Sequence, residues 1–399
     1  MSDVKPPLDG IKVIDCSRVL AGPYCCELLS LLGAEVIKVE NQVGDEGRMW
    51  PPHSGDMGSS FLGLNANKRS ISIDLKKPEG VEIVKDLARE ADVLVENFKT
   101  GDMERFGLGY DDLKDLNPGL VYTSVSAFGR QGPRAKGLGY EALLQAYSGV
   151  MAITGEPGGM PVRCGVSFLD MGTGVMAALA TVTALFRREF THAGGKAETS
   201  LLGTALGLMS NTVSNYLQHG YLPERLGTAH PQVVPYQAYP TKDSFIFIAS
   251  GNQNLFERLC KAIGREDMIG DPRFRDNATR VTHREACLKA IFDALAVLET
   301  EPLMVRLDEF GVPYSRVNDL ESLWEDGQVQ ALGVLEDGQD PDYGEFQIMG
   351  LPFTLTEHAR GLRRTAPRVG EHSREVLDEL GYDSERIQAL IASEVVAAR

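Results

Sequence analysis

Over its first 130 residues the chain alternates short apolar runs with amphipathic stretches, and this alternation leaves few folds open. "IKVIDCS" (11–17) reads as a buried strand, and "AGPYCCELLSLLGAEVIKVE" (21–40) as turn, helix, a stop at Gly33 and a second strand. The unit recurs in "RSISIDL" (69–75), the helical "KPEGVEIVKDLAREA" (77–91) with Pro78 in its first turn, and "DVLVEN" (92–97). "GLVYTSVSAFG" (119–129) adds a further strand. Strands joined by helices imply an α/β fold, with a mostly parallel sheet covered on both faces. Small molecules bind such sheets beyond the carboxyl ends of the strands.

Those ends are basic in a chain whose net charge is −16. Arg18, Lys38, Arg48, Lys68, Arg69, Lys76, Lys99 and Arg105 fall near the strand ends, where they read either as solvated surface or as a phosphate site aided by the helix start after Lys77. The acidic balance argues against general nucleic-acid binding, which needs a basic surface to displace counterions. With 43% hydrophobic and 24% charged residues, the chain is expected to fold as an ordinary soluble protein. It shows no apolar run near the roughly 20 residues of a bilayer span and no signal-peptide stretch in "MSDVKPPLDG", so no membrane partner is expected and a cytoplasmic location is.

The later chain holds a helical pattern at 171–190, a strand and helix within 194–218, and a Pro-, Gly- and Tyr-rich crossing segment at 221–241. A second unit follows, with a strand at 245–250 and helices at 254–264, 284–299 and 302–311; the tail ends in a helix near 384–397. Six cysteines and seven histidines, His358 among them, show no metal-ligand spacing, so no metal is expected and the thiols read as free and buried.

One stretch carries chemistry. "CGVSFLDMGTGVMAAL" (164–179) sets Asp170 before a glycine-laced helical pattern. "GTGVMA" fits a dinucleotide fingerprint, yet Asp170 directly ahead of it would repel a pyrophosphate. Asp170 reads as a helix N-cap or as a carboxylate nucleophile toward an acyl thioester; a carboxylate is ordinarily deprotonated near neutral pH, and Gly172 leaves room for the thioester carbonyl.

Taken together, "PLDGIKVIDCSRVLAGPYC", "LLGAEVIKVE", "NKRSISIDLKKPEG", "VENFKTGDMERFGLGY", "LGYEALLQAYSG", "FLDMGTGVMAALAT" and "RVGEHSREVLDELGY" resemble the class III coenzyme A transferases, the formyl-CoA and carnitine-CoA transferase family that includes the α-methylacyl-CoA racemases. The resemblance implies a large Rossmann-like domain (1–220, completed by 331–399), a smaller inserted α+β domain (221–330) and an interlocked homodimer. It implies that Asp170 becomes an aspartyl-CoA thioester, aided by Glu141. Coenzyme A contacts are implied at Val19, Leu20, Ala21, Lys76, Asn97, Phe98, Arg105 and Tyr140. The substrates are then an acyl-CoA and a carboxylic acid, with no permanently bound cofactor.

Departures from the pattern narrow the acceptor. Leu20 stands where formyl-CoA transferase has a glutamine, and "GTAHP" (227–231), with His230, replaces its polyglycine loop, which speaks against oxalate. Arg48, Arg69 or Arg163 offers a partner for the second carboxylate of a dicarboxylic acid, with succinyl-CoA as donor. The racemases pair a histidine with the acid matching Asp170; here that position is Tyr140, a poor base at neutral pH. A racemase and a catalytically inactive coenzyme A binder are the alternatives.

Overall fold

The computed structural model describes residues 5–55, 57–356 and 361–399; His358 lies outside them. The chain divides into two units, one made of Met1–Ser148, Cys164–Val213 and Gly333–Arg399, the other of Gly149–Arg163 and Ser214–Leu332. Residues 149–163 and 214–220, which the sequence reading gave to the large domain, thus belong to the second unit.

The first unit is built on a seven-stranded sheet. Its strands are β1 (Lys12–Asp15), β2 (Glu35–Glu40), β3 (Lys68–Ile73), β4 (Val93–Glu96), β5 (Val121–Ser126), β6 (Gly195–Ser200) and β7 (Val396–Ala397), in the order β7-β3-β2-β1-β4-β5-β6. The first six run parallel, and β7 pairs antiparallel with β3 at the edge. Strand order reverses between β1 and β4, so a crevice opens beyond the ends of these two strands.

Alternation along the strands feeds two cores. Val13, Val36 and Val93 pack on one face, whereas their neighbours Ile14, Ile37 and Leu94 pack on the other. Ile14 is 1% exposed, and its truncation to alanine costs about 2–5 kcal/mol.

Helices α1 (Ala21–Leu31), α2 (Pro78–Glu90), α3 (Glu141–Ser148), α4 (Phe168–Thr191) and α5 (Leu201–Leu208) cover the sheet or join it. α2 begins on Pro78 as its sequence requires, and Lys77 just before it donates to the Ser393 carbonyl at 2.6 Å, tying down the tail. α1 and α4 pack closely because Gly174 lacks a side chain: a Cβ there would stand 2.7 Å from the Ala21 carbonyl oxygen.

α4 corrects the sequence reading on one point. Its 24 residues are long and apolar enough by composition to cross a membrane, because alanines, glycines and threonines spread its hydropathy beyond any obvious run. One face is nevertheless packed against α1, β5 and β6. The tail differs too: the last helix ends at Ala392, and the following residues turn back as β7.

The second unit holds an antiparallel sheet of 236–240, 245–249 and 314–316, packed against helices around Phe256, Leu259 and Leu303. Tyr236–Pro240 lies in the segment read as a crossing; its prolines and tyrosines hide an alternation that buries Gln237 and Tyr239. All six cysteines are free, five of them buried and Cys164 only partly so.

Candidate active site

The reversal point between β1 and β4 holds a cleft of about 240 Å³. Arg18, Val19, Leu20 and Ala21 enter it from the end of β1, Asn97, Phe98 and Lys99 from the end of β4, and Tyr140, Glu141 and Asp170 close it. Arg18 and Asn97 lock the two strand ends together: the Arg18 amide donates to Asn97 Oδ1 at 2.9 Å, and Asn97 Nδ2 donates to the Arg18 carbonyl at 2.7 Å.

Val19 has φ +72°, a left-handed conformation that a β-branched residue adopts only under constraint. Asp45 supplies the constraint. Its carboxylate accepts the Val19 amide at 3.2 Å and pairs with Lys38 at 3.0 Å, and Lys38 also donates to the Ser17 carbonyl at 3.0 Å. Beneath them Lys68 donates to Asp15 at 2.9 Å. Burial alone would raise the Asp15 carboxyl; the charges of Lys68 and Lys38 outweigh it and hold the group at about 2. At β4, Glu96 plays a similar part, accepting the Phe98 amide at 2.8 Å and pairing with Arg130.

The eight basic residues therefore separate into two sets. Arg18 and Lys99 line the cleft, and Lys76 lines an adjoining cavity of about 190 Å³ that it shares with Arg18, Phe98 and Phe106. Arg105 lies beside Phe106, its side chain exposed and 3.1 Å from Asp102. Lys38 and Lys68 are buried in the network under Val19.

Arg48 and Arg69, expected to bind substrate, are corrected. Arg48 is buried, forks onto Glu40 at 2.6 and 2.9 Å and stacks 3.7 Å over the Phe61 ring. Arg69 sits where β3 begins, away from the cleft, bound by Glu35, Glu375 and Glu379. Neither lines the cleft that holds Asp170. Gly172 opens no space for a thioester, since a Cβ there would meet the Thr204 side chain of α5 at 3.2 Å. His230 and Arg163 belong to the second unit, where His230 Nδ1 accepts the Gln232 amide at 3.1 Å.

Asp170 stands third in α4, inside the helix, with Ser167 at the N-cap, so the N-cap reading is replaced. Among the described residues its carboxylate carries no hydrogen bond or ion pair. Burial, and then the charge of Glu141, push its carboxyl up to about 7, so the sequence expectation of a fully ionised acid at neutral pH is corrected to one about half ionised. A partly desolvated carboxylate at a helix start has the makings of a nucleophile, because no protein hydrogen bond or ion pair must be broken before it attacks. Glu141 heads α3, buried, and receives the Gln145 amide at 2.6 Å. Sequence reasoning did not single out Asp45, Glu96 or Gln145; the only signal was Glu96 directly ahead of Asn97 and Phe98.

The sequence model of CoA-transferase family III matches residues 8–373. A succinate–glutarate CoA-transferase of Agrobacterium fabrum is 38% identical over 95% of this chain and 97% of its own length. A succinyl-CoA–D-citramalate CoA-transferase of Chloroflexus aurantiacus is 36% identical over 99% of this chain and all of its own. Among solved structures, a CaiB/BaiF family protein from Brucella suis superposes with a TM-score of 0.86 at 35% identity, covering 94% of this chain and 100% of that one. A match of this extent, on a chain that carries a half-buried acid at the reversal point of its sheet, places the protein in CoA-transferase family III.

Proposed function

We propose that this protein moves coenzyme A from succinyl-CoA to a short dicarboxylic acid through an aspartyl-CoA thioester on Asp170. The observation that carries the reading is the half-buried Asp170 carboxylate, without a hydrogen bond or ion pair among the described residues, in a cleft at the sheet's reversal point. Relatives named for glutarate and citramalate support a dicarboxylic acceptor. Asp170 attacks the donor thioester carbonyl, the carbon–sulfur bond breaks, and a mixed anhydride and coenzyme A thiolate result. The thiolate attacks the aspartyl carbonyl, releasing succinate and leaving aspartyl-CoA. The acceptor carboxylate then displaces the thiolate to form a second anhydride. Attack of the thiolate on the acceptor carbonyl gives the new thioester and frees Asp170.

Val19, Leu20, Ala21, Asn97, Phe98 and Tyr140 contact the pantetheine side of the cofactor-like substrate and Lys76 its phosphates, on the strength of their places around the two cavities, and the exposed Arg105 adds a second cation beside Phe106, which lines the smaller of them. Protein incubated with succinyl-CoA should gain coenzyme A on Asp170, and Asp170→Ala should lose transfer to every acceptor acid. Transfer retained by Asp170→Ala overturns the reading. Exchange of the α-proton of a 2-methylacyl-CoA in deuterated water, with no acceptor acid present, would instead mark a racemase.

The working unit is a homodimer. Val175, Leu179, Phe186 and Phe190 form an exposed stripe along α4, with Phe190 71% exposed, and a contiguous apolar face of this kind marks an interaction surface. A second copy, and not a bilayer, covers it. Sedimentation should give twice the chain mass, and the protein should not float with lipid vesicles.

A further inference from the structure

We propose that Gln145 is a positioning residue that sets the Glu141 carboxylate against Asp170; the inference rests on Asp170 being the nucleophile. Gln145 is wholly buried on α3, one turn beyond Glu141. Its Nε2 donates to Glu141 Oε1 at 2.6 Å, and its Oε1 accepts the Cys164 amide at 2.9 Å. The orientation of the amide is settled by its partners: a backbone N–H only donates, so Oε1 must face Cys164, and the NH₂ must face the carboxylate.

One side chain thus joins two things the chemistry needs. The chain leaves the first unit after Ser148 and re-enters it at Cys164, six residues before Asp170. Gln145 holds that point of return and, with its other end, fixes the direction of the Glu141 carboxylate, whose charge acts on Asp170. Glu141 occupies the first turn of α3, and the hydrogen bond from Gln145 restrains the side-chain bonds that set how its charge lies toward Asp170. An aliphatic side chain of the same length fills the space and does neither job.

The experiment is a double-mutant cycle of Gln145→Met and Glu141→Gln, read by kcat, by KM for succinyl-CoA and by the pH dependence of kcat. Gln145→Met should lower kcat about 10- to 100-fold, as a small misplacement of a reacting group does, with KM changed less than about threefold. The midpoint of the rate–pH profile should move. In the Glu141→Gln background the same substitution should have little further effect, because the residue it acts through is already neutral. Effects that multiply in the double variant, or a kcat and pH midpoint unchanged in Gln145→Met, overturn the inference. Should Gln145→Met fail to fold, Gln145→Asn replaces it: that side chain keeps the amide but is one methylene too short to reach both Glu141 and the Cys164 amide, so kcat should fall and the pH midpoint move, and both unchanged overturn the inference. Failure of the Asp170 reading is distinct, since it shows as wild-type protein that acquires no adduct on Asp170.

Discussion

Asp170 shares its cleft with Glu141, and the negative charge of the second carboxylate adds to burial in pushing the first up to about 7. Two acids in one confined cleft oppose each other's ionisation, so Asp170 changes charge near neutral pH.

The rate of adduct formation on Asp170 should therefore climb about tenfold per pH unit below 7 and level off above it. Glu141→Gln removes the repulsion and should shift the midpoint downward. Single-turnover kinetics from pH 5 to 9 will measure both.

Stability should run in the opposite sense at this residue. A carboxyl raised from its ordinary range to about 7 favours folding only while protonated; its contribution is complete below about pH 4 and is lost as pH rises to 7. Asp170→Asn should accordingly stabilise the protein at pH 8 by roughly 1–3 kcal/mol, seen in urea unfolding.

Glu27 offers a stronger case of the same sign. It is 1% exposed in α1, neither of its oxygens finds a hydrogen-bond partner among the described residues, and burial pushes it up to about 8. Glu27→Gln should raise the midpoint of thermal unfolding, more at pH 9 than at pH 5, with a gain of roughly 2–5 kcal/mol at the higher pH.

Lys68→Met should act the other way, at a cost of about 3–5 kcal/mol, because it takes from the buried Asp15 its nearest cation and leaves only Lys38, 3.9 Å away. In the unaltered protein Asp15, held at about 2, stabilises the fold above about pH 4, and that contribution is lost as pH falls toward 2. Denaturant unfolding between pH 3 and 7 will show the acid limb flatten in the variant.

Lys76→Ala should raise KM for succinyl-CoA about tenfold with little loss of stability, since its side chain faces a cavity. Arg69→Ala should do the reverse, lowering stability and leaving KM nearly unchanged.

The parallel sheet was legible in the sequence because its strands are buried on both faces and alternate with amphipathic helices. Asp170 and the strand-end residues Val19, Asn97 and Phe98 were legible as members of a resemblance, and the structure gathers them around one cleft. The sorting of the basic residues was not. Arg18 and Arg48 look alike in a linear chain, and only the fold reveals that Glu40 has already claimed the second. Gln145 was hidden for the same reason: its value lies in Cys164, nineteen residues away, whose amide it meets only after the chain has made and returned from an excursion.

The short strand β7 has a practical consequence. Val396 and Ala397 pair with Ile73 and Ser72, and the Ala397 carbonyl receives the Ser373 hydroxyl at 2.6 Å. Clipping these residues would uncover the outer edge of β3 and leave its backbone donors open to the edge of another molecule. Carboxypeptidase digestion should thus turn a soluble preparation turbid before it lowers the specific activity of what stays in solution, and an affinity tag is better carried at the other end of the chain.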